Sequence, residues 1–368
     1  VRFGRRQIDW RTGPAIRSTP GSWRRFEDRF VIPVNLITGF LGSGKTTLLQ
    51  RLLASPELAN SAVLVNEFGE VGLDHHLLQR LDDSIVLLKS GCLCCTIRGD
   101  LRDSIRELYD RRERGGVQPF DRLVIETTGL ADPAPIVATL MADRVIRHHF
   151  RLGNIVTVVD ALNGQSNLAE YEESRKQAAV ADRLVISKTD IADAEKATRL
   201  HAILHRLNPT AIYLDAARDA LSGTALLADD VHDPAARNEE IRRWLAEEIH
   251  VDDDAESHVH DPNRHGEDIV AFCISLDVPL DWSAFAVWLT MLLNRHGQNI
   301  LRIKGLLDIA DVPTPVVIHG VQHTVHPPTH LDAWPEGERR TRIVFIAKGL
   351  DRTRVQQSLE AFNGLAQR

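Results

Sequence analysis

No stretch of the sequence approaches the roughly 18 consecutive apolar residues that a membrane-spanning helix needs, so no span is expected. Basic residues are not in excess. Lys and Arg number 44 against 51 Asp and Glu, a formal charge of −7 that offers nucleic acid no attractive surface. Cysteine is scarce and unevenly placed: Cys92, Cys94 and Cys95 fall within four residues, and Cys273 stands alone. Crowded thiols of this kind do not build a disulfide framework, so a reducing, cytoplasmic compartment with metal or redox use is expected. The first 30 residues carry eight arginines but no apolar core, so no secretory signal is expected among them. Asp9, Glu27, Asp28 and the scarcity of serine count against an organellar transit peptide, and a disordered extension is expected there. What is plentiful is core material: 43% of the 368 residues are hydrophobic, enough for a large domain with a smaller companion.

The most informative stretch is Val31–Leu49. An apolar, β-branched run ends at Gly39, and the chain then reads Gly39-Phe40-Leu41-Gly42-Ser43-Gly44-Lys45-Thr46 before a helical pattern sets in. This is G-x-x-x-x-G-K-[ST] in its proper setting, with a strand before and a helix after. Glycines let backbone N–H groups wrap a polyphosphate, the helix N-terminus adds partial positive charge, Lys45 reaches the terminal phosphates and Thr46 ligates Mg2+. Gly39, Gly42, Ser43, Gly44, Lys45, Thr46 and Thr47 are therefore the candidate phosphate-binding residues.

From residue 33 onward strands and helices alternate. Strands are expected at 33–38, 62–66, 85–88, 122–126, 154–160, 183–187 and 211–214, with helices at 45–54, 98–112, 133–146, 172–180 and 193–206. The strands are short and almost wholly apolar, as burial on both faces of a parallel sheet requires. The expected fold is α/β: a doubly wound, mostly parallel P-loop sheet over 31–227, with ligands at the carboxyl ends of its strands. Residues 228–265 read as an acidic, histidine-containing linker, and 266–368 as a smaller α+β domain. That second domain is expected to run strand 268–277, helix 282–295, strands 298–307, 314–326 and 341–348, and helix 351–363.

Three further clusters fall at strand ends. Glu126-Thr127-Thr128-Gly129 closes an apolar strand; an acid there in a P-loop domain sits beside Mg2+, and Gly129 lets backbone approach a γ-phosphate. The bland alternative is a carboxylate capping the next helix. Ser187-Lys188-Thr189-Asp190 is close to the guanine-reading N-K-x-D element, with serine in place of asparagine. Asp190 would accept two hydrogen bonds from guanine, and adenine lacks that donor pair, so GTP is favoured. The alternative is a turn with Asp190 as a helix cap. Cys92-Leu93-Cys94-Cys95 offers three thiolates, a donor set for Zn2+ and also for Co2+ or Cu+, one ligand short of a closed tetrahedral site. Glu67, Glu70, His75, His76 or water could complete it, all four residues lying in the loop that follows the second strand. Buried apolar cysteines or a redox pair are the alternatives. Lys45, Thr46 and Glu126 are the candidate catalytic residues.

Together these stretches resemble one family, the CobW-type metallochaperone GTPases, relatives of the nickel-inserting GTPases of hydrogenase and urease maturation. The P-loop GFLGSGKTTLL, the loop VNEFGEVGLD, the CLCC cluster and ETTGLADPAP carry the likeness, as do Leu301–Leu306, Gly320–His323 and Arg339–Arg342 in the second domain. The resemblance implies slow GTP hydrolysis with Mg2+, coupled to delivery of zinc (or cobalt) to a client metalloenzyme or metal-insertion complex, and it leaves room for a homodimer. It implies Cys92, Cys94 and Cys95 as metal ligands, Glu67 and Glu70 as switch or accessory metal residues, and Lys188 and Asp190 as guanine readers. His258, His260 and His265 would be a metal-loading segment or merely a solvated linker. Without the family, two other readings stay open: a P-loop kinase acting on a small molecule, and a client-binding module in which nucleotide is only structural.

Overall fold

The computed structural model describes residues 31–65, 86–89, 97–227, 269–335 and 339–366. The first part is a sheet of seven described strands, all parallel: β1 (Ile32–Gly39), β2 (Ser61–Val65), β3 (Val86–Lys89), β4 (Arg122–Glu126), β5 (Phe150–Asp160), β6 (Arg183–Ser187) and β7 (Ile212–Asp215), in spatial order β3-β2-β4-β1-β5-β6-β7. Alternate side chains of β1, β2, β4, β5 and β6 enter two separate cores. Val34, Leu36, Leu64, Leu123 and Ile125 pack on one face, whereas Ile37, Val63, Val65, Val124 and Val158 pack on the other. That double burial is why the middles of the strands are mostly apolar.

Helix α1 (Lys45–Leu53) covers the second face with Leu48, Leu49, Leu52 and Leu53. The first face is covered by α2 (Ile97–Glu113), α3 (Ala134–Ala142), α4 (Arg144–His149), α5 (Gly164–Glu170), α6 (Glu172–Val180) and α7 (Ala194–Leu207). A short helix, α8 (Gly223–Leu227), returns to the second face.

The C-terminal part is an antiparallel sheet. It comprises β8 (Ile269–Leu276), β9 (Ile300–Leu307), β10 (Val316–Val321), β11 (Thr324–Val325), β12 (Thr329–His330) and β13 (Thr341–Lys348), ordered β11-β10-β9-β13-β8 with β12 against β10. Helices α9 (Trp282–His296) and α10 (Arg352–Ala366) lie on one face, tied by Trp288 Nε1 donating to Ser358 Oγ at 2.9 Å. From the other direction Leu301, Val321 and Ile346 join the first core of the parallel sheet. At that junction Arg302 and Lys304 of β9 are buried against Asp182, which immediately precedes β6.

The fold class is as expected, and two elements differ from their expected form. The helix expected over 133–146 is two helices, because Asp143 turns extended and its carboxylate accepts the N–H groups of Val145 and Ile146 at 2.9 and 3.0 Å, capping α4. The strand expected over 314–326 is a hairpin of β10 and β11, turning through Gln322 at φ 50°. The expected linker, 228–265, lies outside the described residues.

Candidate functional site

The site forms where β1 gives way to α1. Gly39, Gly42 and Gly44 all have left-handed backbones, φ 141°, 70° and 98°. At Gly39 a side chain is excluded twice over, since a Cβ would sit 2.3 Å from the carbonyl oxygen of Val158. Three carbonyls of the loop are drawn aside by three side chains. Lys45 Nζ donates to Phe40 O at 3.1 Å, Lys188 Nζ to Gly42 O at 2.9 Å and Ser187 Oγ to Ser43 O at 2.6 Å. In trans peptides this turns the N–H groups of Leu41 and Gly44 the opposite way, the arrangement that receives an anion. Helix α1 has Gly44 as its N-cap with no side-chain cap bond and no acid in its first turn, so its positive end is not already satisfied.

Thr46 Oγ1 donates to Glu126 Oε1 at 2.6 Å, and Glu126 is buried. Glu126 does not cap α3, whose N-cap is Pro133 with no side-chain cap bond; Asp132, just before it, accepts the N–H of Ala134 at 2.9 Å. A threonine hydroxyl beside a carboxylate is a hard-oxygen donor pair, which fits Mg2+ and not a thiophilic ion. The loop beyond Glu126 is pressed onto the P-loop. Thr127 N donates to Ile37 O at 3.0 Å, and a Cβ on Gly129 would lie 2.7 Å from Leu41 N.

On the other side, Ser187 and Lys188 bind the loop that follows β6 to the P-loop, and Lys188 adopts a left-handed φ of 59°. Asp190 is exposed, and α7 is capped by Asp193, whose carboxylate accepts the N–H of Glu195 at 2.8 Å. Asp190 is thus not the cap of that helix. Lys188 is held by Asp160, at 2.7 Å, a buried residue that ends β5 and also accepts from Asn163 at 3.0 Å and the N–H of Leu162 at 2.7 Å. Burial acts to raise the Asp160 carboxyl, but the Lys188, Asn163 and Leu162 hydrogen bonds outweigh it and hold the group below the ordinary aspartate value.

The structure thus assembles Gly39, Gly42, Ser43, Gly44, Lys45, Thr46, Glu126, Gly129 and Lys188 around one loop, with Thr47 exposed at its rim. Cys92, Cys94, Cys95, Glu67, Glu70, His75, His76 and the His258–His265 stretch lie outside the described residues. Among the described residues no group of three or more His, Cys, Asp or Glu is placed to hold a metal ion, and no helix is long and apolar enough to cross a membrane. Cys273 is buried in the C-terminal sheet. Sequence reasoning missed Asp160 and Gln177. Asp160 carried the same signal as Glu126, an acid closing an apolar strand. Gln177 follows the polar run Glu172–Lys176 of α6 and carried none.

Residues 33–215 match the family model described as the CobW/HypB/UreG nucleotide-binding domain, and 269–363 match the cobalamin synthesis protein cobW C-terminal domain. Over 335 residues the chain is 32% identical to the zinc chaperone YjiA of Escherichia coli, covering 91% of this chain and 98% of that protein. It is 31% identical over 390 residues to the zinc chaperone CobW of Pseudomonas aeruginosa, with 94% and 97% covered. The crystal structure of Zn(II)-bound YjiA GTPase from E. coli matches with a TM-score of 0.66 at 26% identity, over 90% of this chain and 99% of that one.

Proposed function

The chain belongs to the CobW/HypB/UreG family, and from that premise we propose that it is a GTP-dependent zinc chaperone. It hydrolyses GTP and passes a zinc ion, bound through Cys92, Cys94 and Cys95, to a client metalloprotein. The observation that carries the nucleotide half is the P-loop with its three carbonyls drawn aside and Thr46 hydrogen-bonded to Glu126. The same geometry favours guanine, because Lys188 is fixed to the P-loop and leaves Asp190 exposed beyond the end of β6.

In the reaction, water attacks the γ-phosphorus, the bond to the β–γ bridging oxygen breaks, and GDP and phosphate leave. Lys45 and the P-loop N–H groups hold the phosphates, and Gly129 brings its own backbone to the γ end. Thr46 and Glu126 would hold Mg2+, which when bound neutralises charge on the phosphate oxygens. Turnover by the chain alone is slow.

Support for coupling nucleotide to zinc comes from the sheet. Val65, Lys89 and Glu126 are in register at the carboxyl ends of adjacent strands. The segments 66–85, carrying Glu67 and Glu70, and 90–96, carrying the three cysteines, therefore start from the edge that bears Glu126. Residues 31–227 serve as the GTPase part and 266–368 as the client-facing part, with cobalt the alternative cargo. Cys94→Ala tests the assignment: tight zinc binding should be lost while GTP affinity, compared with wild type in the absence of zinc, stays within about twofold. Wild-type zinc affinity in the variant would remove the cysteines from the function.

A further inference from the structure

Helix α6 makes contacts that neither nucleotide binding nor zinc binding explains. Gln177 is buried, and its Nε2 donates to Gly129 O at 3.1 Å and to Ala131 O at 2.9 Å, the two carbonyls that flank Leu130. Both neighbours are acceptors, so only an N–H-bearing side chain satisfies them. The loop it grips is the one pressed on the P-loop, with the Cβ direction of Gly129 leading to Leu41 N at 2.7 Å. One residue earlier, Lys176 reaches Asp132 of the same loop at 3.6 Å. One turn earlier, Glu172 pairs with Lys176 at 3.3 Å and with Lys348 at 3.3 Å. Lys348 is the last residue of β13 in the C-terminal sheet. Thr157 Oγ1 donates to the backbone carbonyl of Gln177 at 2.7 Å and fixes the helix to β5.

We propose that Gln177 is the positioning residue that sets Gly129 against the γ-phosphate, and that α6 passes the position of that loop to the C-terminal sheet through Glu172 and Lys348. The proposal rests on the GTPase reading. A helix of nine residues is only about 13 Å long and moves as a rigid body. The loop that discriminates GTP from GDP is held from its middle, and the C-terminal sheet is held from its first turn. A shift of Gly129 on loss of the γ-phosphate must either break the Gln177 hydrogen bonds or carry α6 with it. In the second case the Glu172–Lys348 pair transmits the displacement to β13.

The test uses the full chain. GTP and GDP affinities are measured by titration with fluorescent analogues, and amide exchange over 341–348 is compared in the two nucleotide states. Gln177→Met keeps the side chain's length and removes its donors. It is expected to lose at least tenfold of the GTP-over-GDP preference, about 1.4 kcal/mol, with GDP affinity within twofold of wild type. Glu172→Gln is a substitution at a partly exposed position that leaves the loop gripped. It is expected to keep the preference and abolish the nucleotide-dependent exchange difference in β13. An unchanged preference in Gln177→Met, an equal loss for both nucleotides, or an undiminished exchange difference in Glu172→Gln would overturn the proposal. Should the unaltered chain bind neither nucleotide, the GTPase reading fails and takes this proposal with it.

Discussion

Gly129→Ala is a small change with a large predicted consequence. The residue is not among the glycines with positive φ, so its backbone conformation tolerates alanine, and any effect comes from the methyl group itself. That methyl would lie 2.7 Å from Leu41 N, 2.8 Å from Leu41 Cα and 2.7 Å from Leu41 Cδ2. The leucine side chain can swing away, but the backbone atoms belong to the P-loop and cannot. Restoring an ordinary contact of about 3.5 Å requires the two loops to part by roughly 0.8 Å. Misplacement on that scale costs on the order of 10- to 100-fold in a reaction that depends on positioning, equivalent to about 1.4–2.7 kcal/mol of barrier. On the proposed assignment of Gly129 to the γ end, single-turnover GTP hydrolysis and GTP affinity should fall, with GDP affinity and the melting temperature nearly unchanged. Gly364→Ala, where an added Cβ meets nothing within 4 Å, serves as the silent control. Unchanged hydrolysis in Gly129→Ala, or equal losses of GTP and GDP binding, would refute the reasoning.

Two further variants probe the scaffold. Burial acts to raise the Asp182 carboxyl, but Arg302 and Lys304 outweigh it and hold it below its ordinary value. Its contribution to stability is therefore fully present above the unfolded value of about 3.9 and is lost as pH falls through the folded one. Asp182→Asn leaves Arg302 and Lys304 buried without their carboxylate. Urea unfolding should show a loss of about 3–5 kcal/mol at pH 7 and a weaker acid dependence below pH ~4; a loss under about 1 kcal/mol would contradict the role of the pair. Asp160→Asn releases Lys188 from its carboxylate and should weaken GTP and GDP together, by about tenfold for a charged hydrogen bond. Its GTP-to-GDP ratio should match wild type, a pattern opposite to that of Gly129→Ala, and titration with both nucleotides checks it.

How far the sequence could be read depended on the range of the interactions involved. The P-loop is legible because strand, glycines, lysine and helix are contiguous, and all the physics of Gly39–Thr46 is local. The alternation of β4 to β7 was equally plain, since burial on both faces writes itself into each strand. Asp143 escaped because the apolar pattern runs through it from Ile136 to Ile146, and only the cap geometry shows the break. The β10–β11 turn escaped because its left-handed residue is Gln322, without the glycine or asparagine that normally marks such a bend. Asp182 with Arg302, 120 positions apart, and Gln177 with Gly129, 48 apart, are products of tertiary contact and leave no local trace.

The most direct test of the account is a zinc competition titration on the purified full chain, run in parallel with GTP and with GDP. If the nucleotide and cysteine sites are coupled, GTP tightens zinc at least tenfold over GDP, about 1.4 kcal/mol, and zinc tightens GTP by the same factor. Zinc affinity that is the same with GTP, GDP and no nucleotide would contradict the account, leaving a GTPase whose hydrolysis has no hold on the metal.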